Sequence, residues 1–217
     1  MKTQEQDIID YKKWISEYKL VNGSRVSIIN DLSKKFDYKK YLEIGVRDGW
    51  CIKRIDVKYK DGVDPIPSAY TNFVMTSDEF FCNLNDDEKY DIIFIDGLHY
   101  DYQVYQDILN SLKHLSDNGT IVCHDMNPMF EVCQRRIPIV PTWNGDCWKA
   151  FVRLKSERSD LEMFTVDVDF GIGVIRVGSQ ELIEMPNELE FEFLNLDRKY
   201  AMNLITMDEF NERFQIS

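Results

Sequence analysis

A chain of 217 residues, 44% of them hydrophobic, suffices for one domain with a sizeable core. Its formal charge of −12 repels polyanions, so nucleic acid and anionic membrane surfaces are poor partners. No run approaches the roughly 18 apolar residues of a membrane span. The first residues carry no apolar signal core, and the five cysteines (Cys51, Cys82, Cys123, Cys133 and Cys147) lack C-x-x-C spacing, so the expectation is a cytoplasmic protein with free thiols.

Residues 4 to 20 carry Ile8, Ile9, Tyr11, Trp14, Ile15 and Tyr18 at helical spacing, and Asn22-Gly23 ends that helix. Ser24 caps a second helix to about Phe36, with Val26, Ile28, Ile29 and Leu32 on its apolar side. Both helices are expected to cover the sheet, with pocket-lining or homodimer contacts left open. Strands are then predicted at 41–46, at a short run ending Gly62-Val63-Asp64-Pro65, at 72–76, at 90–96 and at 120–124. Between them stand a short helix at 49–55, a helix start at 77–81 and a helix over 102–115. The almost continuous apolar run of 90–96 suits a strand buried on both faces.

Residues 126 to 145 read as loop with a turn or two of helix near 132–136, and Asp146 is placed as the cap of a helix to about Glu157. Two runs at 162–168 and 171–177, separated by Asp169-Phe170, read as an antiparallel hairpin closing the sheet. The tail is mixed, helical near 207–210. The fold class is therefore α/β, a doubly wound, mostly parallel sheet closed by the hairpin. It forms one domain: N-terminal helices at 1–37, an α/β core at 38–178 and a C-terminal extension at 179–217.

Ligands of such sheets lie beyond the carboxyl ends of the strands. Those ends carry Glu43 and Gly45, Asp64, Thr76-Ser77-Asp78, Asp96-Gly97-Leu98-His99 and His124-Asp125. In Glu43-x-Gly45-x-Arg47-x-Gly49, two glycines relax a strand-to-helix turn so that a ligand can lie on bare backbone. A dinucleotide loop has glycine where Arg47 stands, and a carboxylate in front of the loop disfavours a pyrophosphate and favours a cation. Asp64, 21 residues after Glu43, can take both hydroxyls of a ribose, and Ser77 or Asp78 an adenine edge. Trp143 and Trp148 flank a polar turn containing Asp146, a grouping suited to a sugar. His114 is expected at the surface; the Asp169-Phe170 tip is read as an ordinary turn, with pocket lining its alternative, and Arg135-Arg136 as a solvated pair, with contact to acceptor phosphates its alternative.

The combination Glu43-x-Gly45-x-x-x-Gly49, Phe94-Ile95-Asp96-Gly97-Leu98-His99 and His124-Asp125 resembles the bacterial class I S-adenosylmethionine (SAM) methyltransferases related to the macrocin and catechol O-methyltransferase groups, a sugar- and small-molecule-modifying subset, over residues 38 to 178. The resemblance implies a seven-stranded sheet with the last strand antiparallel, as the hairpin also suggests, and SAM over Glu43, Gly45, Arg47 and Gly49, with Asp64, Ser77, Asp78 and Asp96 completing its site. It also implies a hydroxyl acceptor such as a sugar or nucleotide sugar beside Trp143, Asp146 and Trp148. His99 falls where a catalytic base is expected, with His124 second and Asp96 and Asp125 supporting them. In metal-dependent members Asp96 and Asp125 would hold Mg²⁺, but the third ligand position is Met126 and then Asn127. The alternatives are an NAD-dependent oxidoreductase on a related sheet and a non-catalytic SAM-binding scaffold.

Overall fold

Residues 3–18 and 23–216 are described in a computed structural model. The predicted end of the first helix near residue 20, and Asn22, lie outside the described residues. Four apolar runs form the parallel half of one sheet. They are β1 (Lys40–Ile44), β2 (Tyr59–Val63), β3 (Tyr90–Ile95) and β4 (Leu115–Cys123), in the spatial order β2-β1-β3-β4. The hairpin β5 (Leu161–Val166) and β6 (Ile172–Val177) follows, with β6 antiparallel to both β4 and β5. A two-residue strand from the tail, β7 (Leu204–Ile205), adds to β5 in parallel and completes the order β6-β5-β7. The seven-stranded α/β sheet is as expected, but its seventh strand comes from the tail. The segment 72–76 contributes a single bridge, Phe73 to Val63, because Phe73 packs on Phe80 rather than extending an edge ladder.

Helices flank both faces. α3 (Ser77–Asn83), α4 (Asp101–Lys113) and α5 (Cys147–Glu157) cover one side with α6 (Phe191–Leu196) and α7 (Arg198–Met202), while α2 (Arg25–Phe36) and α8 (Met207–Phe214) cover the other. Strand alternation sorts the core between them. Leu42, Ile44, Ile93, Ile95, Ile121 and Cys123 face α4 and α5, whereas Tyr41, Ile92, Phe94 and Val122 face α2 and α8. α1 (Gln4–Glu17) packs apart from both, with Tyr11 against Val132, Cys133 and Val140.

Other boundaries moved for local reasons. β4 starts five residues early, and Asp117 and Asn118 bulge out of its pairing with β3 as exposed residues. The helix expected at 49–55 is one 3₁₀ turn, Ile52–Arg54. Thr76 caps α3 through a reciprocal capping box with Glu79. His114 is buried, with Nδ1 3.0 Å from the Glu88 carbonyl oxygen and its ring stacked on Phe81. Among the described residues no helix is long and apolar enough to cross a membrane. The cysteines are free, all but Cys82 buried.

Candidate functional site

The chain crosses over between β1 and β3, and a cleft of about 1780 Å³ opens there at the carboxyl ends of the strands. Register and alternation decide what faces it. Glu43 shares a face with Tyr41, Asp96 with Phe94 and His124 with Val122, so three neighbouring strands direct polar groups to the α2 side. Backbone bonds from Asp96 N to Ile44 O (2.8 Å) and from His124 N to Ile95 O (3.0 Å) carry the ladder past the strand ends.

Glu43 is 1% exposed, and Tyr41 donates its hydroxyl to Oε2 at 2.5 Å. Burial pushes the Glu43 carboxyl up to about 8, against the opposing pull of the Tyr41 hydroxyl. The glycine loop begins immediately after it. Gly45 has φ +90°, and a Cβ there would lie 2.2 Å from the Asp96 carbonyl oxygen, so only glycine fits. Arg47 adopts φ 51°, and its amide donates to Asp64 Oδ2 at 2.8 Å. Asp64 Oδ1 accepts from Ile66 N at 2.8 Å, so this carboxylate shapes the loop while lining the cleft. Ser77 and Asp78 line the far end, both contacted by Gln103 Nε2 (3.3 and 3.1 Å).

At the near end Asp96, His99, His124 and Asp125 converge. His124 Nδ1 lies 2.9 Å from Asp125 Oδ2 and 3.4 Å from Asp96 Oδ1. The His99 ring spans the same carboxylates, with Nε2 3.4 Å from Asp96 and Nδ1 3.3 Å from Asp125. Trp143 stacks on that ring at 4.9 Å and 17°. Burial alone would lower His99, but its bond to Asp96 and the charges of Asp125 and Asp96 outweigh it and raise the pKa. The same contest, with Asp125 and Asp96 opposing burial, leaves His124 well above the ordinary imidazole value. Burial would raise Asp96, yet His124, His99 and Arg25 hold it far below the carboxylate range.

Sequence reasoning missed Arg25 altogether. Standing at the first turn of α2, it donates to Asp96 Oδ2 (2.7 Å) and grips Asp169 with two bonds of 2.9 and 3.1 Å. Asp169 and Phe170, at positive φ in the hairpin tip, therefore line the cleft rather than forming a bare turn. The only sign of Arg25 in the sequence was its place after a helix cap.

Two predicted acceptor residues do not reach the cleft. Trp148 is fully buried in the core, its indole donating to Gln134 Oε1 at 2.6 Å. Asp146 makes no cap bond to α5. Its carboxylate accepts from Asp101 N (2.8 Å) and Arg136 Nε (3.0 Å), so it anchors the start of α4. The expected metal pair is also incomplete at its third position. Met126 is 1% exposed in the core, and Asn127 is engaged by Asp167 and Arg198.

Residues 56–126 match a family described as a methyltransferase domain. No curated protein sequence matches the chain. Among solved structures, a Bacillus cereus O-methyltransferase in complex with S-adenosylhomocysteine (SAH) superposes with a TM-score of 0.54 at 13% identity, covering 82% of this chain and 92% of that one. The fold is that of the O-methyltransferases. A Staphylococcus aureus protein described as a candidate caffeoyl-CoA O-methyltransferase gives 0.55 at 15% identity (82% and 93% covered). The SAH-bound Podospora anserina methyltransferase PaMTH1 gives 0.51 at 17% (80% and 88%). On this methyltransferase fold the Glu43–Asp48 segment, Asp64 and the His99–His124 cluster share one cleft, whereas the predicted Gly49 lies against the Tyr70 ring and does not line it.

Proposed function

We propose that the protein is a SAM-dependent O-methyltransferase acting on a hydroxyl of a small acceptor. The observation that carries the reading is the continuity of one cleft. It runs from a buried acid and glycine cradle, Glu43 to Asp48, to a histidine–carboxylate cluster at its other end. The cradle fits the donor: the Gly45 backbone lines the cleft, and Glu43, on giving up its proton, offers a carboxylate to a cation. Bound there, SAM would supply a methyl group on a positively charged sulfur. Asp64 and Ser77-Asp78 suit the ribose and adenine.

The protein's own task is to remove the acceptor's proton, because a neutral alcohol is a weak nucleophile. His99 is the base in this reading. It lines the cleft, its Nε2 and Nδ1 lie 3.4 and 3.3 Å from the Asp96 and Asp125 carboxylates, and Trp143 stacks on its ring. Those carboxylates stabilise the imidazolium once it forms. His124 is buried beneath Asp96 and Asp169 and supports the cluster.

The acceptor side is bounded by Trp143, Thr142, Pro141, Val140 and Phe170. Such walls suit a flat or apolar-faced hydroxyl compound. A sugar ring is compatible through one stacking face, Trp143, although the other two expected contacts have turned away. Calorimetric titration with SAM and SAH, followed by an acceptor screen using labelled SAM, is the test. Absence of SAM binding at millimolar concentration would refute the reading.

A further inference from the structure

Behind the carboxyl group of the cofactor end lies a hydroxyl that the reaction itself does not use. Alternate residues of a strand share a face, so Tyr41 and Glu43 of β1 point the same way, and the Tyr41 hydroxyl donates to Glu43 Oε2 at 2.5 Å. Tyr41 is 0% exposed, whereas Glu43, though buried, lines the cleft. The other neighbour of the Tyr41 oxygen is Cys51 Sγ at 3.7 Å. Burial, with the Glu43 charge added, holds the Tyr41 phenol well above its ordinary range, and burial likewise raises the Cys51 thiol, so both keep their protons. The result is a hydrogen-bonded chain, Cys51 to Tyr41 to Glu43, that ends at the cleft wall.

A buried carboxylate depends on its donors, because a hydrogen bond to the charged form is roughly twice as strong as one between neutral groups. Four elements bring ionisable groups to Glu43: Tyr41 from β1, Asp96 from the end of β3, Cys51 from the turn beyond the glycine loop and Arg25 from α2. Burial raises the carboxyl, and of these four groups the Tyr41 hydroxyl opposes that rise most. Asp96 adds to the rise through its charge. Arg25 favours the carboxylate, but its hydrogen bonds go to Asp96 and Asp169, so it acts through charge alone. Tyr41 is the carboxylate's main support from the protein.

We infer that Tyr41 is a positioning residue for cofactor uptake: its hydroxyl fixes Glu43 Oε2, leaves Oε1 for the cationic cofactor and sets the pH window in which SAM binds. The inference rests on the methyltransferase reading and names the residue that tunes its cofactor end. The proton balance is simple. In the free protein at neutral pH Glu43 holds its proton; as the cation arrives that proton leaves for solvent, and Tyr41 keeps its own, donating it to the carboxylate that forms.

Tyr41→Phe removes one oxygen and leaves the ring in the core. SAM is titrated calorimetrically into the unmodified protein and the variant at two pH values, and the affinity ratio at each cancels the titration of the ligand itself. Losing a hydrogen bond to the charged form moves the Glu43 midpoint up by about one pH unit, so the variant binds roughly tenfold more weakly at about pH 7 and within about twofold at about pH 9.5. Placed on Glu43→Gln, which cannot ionise, Tyr41→Phe changes SAM affinity by less than about threefold at either pH. Thermal unfolding verifies the fold. Should Tyr41→Phe not fold, 3-fluorotyrosine at position 41 decides: a more acidic donor in a nearly unchanged ring shifts the midpoint the opposite way and tightens SAM at neutral pH. Weakening by one factor at both pH values, unchanged affinity, an equal effect on Glu43→Gln, or no tightening by the fluorinated ring overturns the inference alone. Absence of SAM binding by the unmodified protein refutes the methyltransferase reading and this inference with it.

Discussion

Removing the imidazole of His99 takes away the proposed base but none of the glycine cradle. His99→Ala should therefore lower turnover by roughly 10²–10⁴-fold with SAM affinity unchanged; radiolabelled methyl transfer and calorimetry measure the two. Because Asp96 and Asp125 raise its pKa, the base is free only at higher pH, so kcat/KM should climb through a midpoint above 6.5, the ordinary imidazole value. A flat profile above pH 6.5 would remove His99 from the role. Glu43 makes a second prediction of definite sign. Burial raises its folded-state pKa from 4.5 to about 8, so the free protein holds it protonated at neutral pH. Its contribution to stability is present at acid pH and is lost as pH rises through about 8, on the order of a few kcal/mol. A cation binding beside it favours the carboxylate, so SAM uptake at pH 7 should release close to one proton and tighten toward pH 8. Calorimetry in buffers of different ionisation enthalpy reads that proton directly. Glu43→Gln should bind SAM more weakly and release none.

The helix α4 that follows His99 begins without a side-chain cap of its own at Tyr100, and Asp146 supplies the missing acceptor from the start of α5. Asp146→Ala should cost roughly 1–2 kcal/mol, the usual range for a lost cap, read from urea unfolding. Its neighbour Gly145, at φ +65°, has no room for a side chain, since a Cβ would fall 2.0 Å from the His99 carbonyl oxygen. Gly145→Ala should accordingly displace His99 and depress methyl transfer while SAH affinity holds within about threefold; unchanged turnover would show that the α4 start does not position the base. These elements also mark what could be read beforehand. The strand-end residues Glu43, Asp96 and His124 were legible because period-two alternation and parallel register put them on one rim. The hairpin was legible because its two apolar runs are joined locally. Asp146 and Trp148 were misplaced because their partners, Asp101 and Gln134, are set by how α4 and α5 meet. Arg25 was invisible for the same reason, its partners lying 71 and 144 residues away. β7, two residues long, carries too little pattern to separate from a loop.

Across the whole molecule, hydrophobic burial is divided unevenly, and the division predicts where the structure opens first. Two large clusters hold the sheet to its helices, whereas α1 rests on a small third one of Tyr11, Val132, Cys133 and Val140. Its polar ties include Asp7 Oδ2 accepting from Val132 N at 2.7 Å, Arg135 donating to Gln4 Oε1 at 3.0 Å, and the Tyr11 hydroxyl 2.9 Å from Thr142 Oγ1. Burying one large apolar side chain is worth roughly 1.5–3 kcal/mol, so a cluster this size secures a helix but does not decide the fold. Every one of those ties ends on the 130–142 segment, and Val140, Pro141 and Thr142 wall the acceptor side of the cleft. Deleting residues 1–18 should therefore leave cooperative unfolding and SAH affinity intact while speeding amide exchange across 130–143. Hydrogen-exchange mass spectrometry, with β1 and β3 peptides as internal reference, makes the comparison. Equal acceleration in the sheet would mean that α1 belongs to the main core, and no acceleration in 130–143 would mean that the wall stands without it. Selective acceleration would identify α1 as the brace of the acceptor wall, acting on which acceptor fits while the cofactor end stays unchanged.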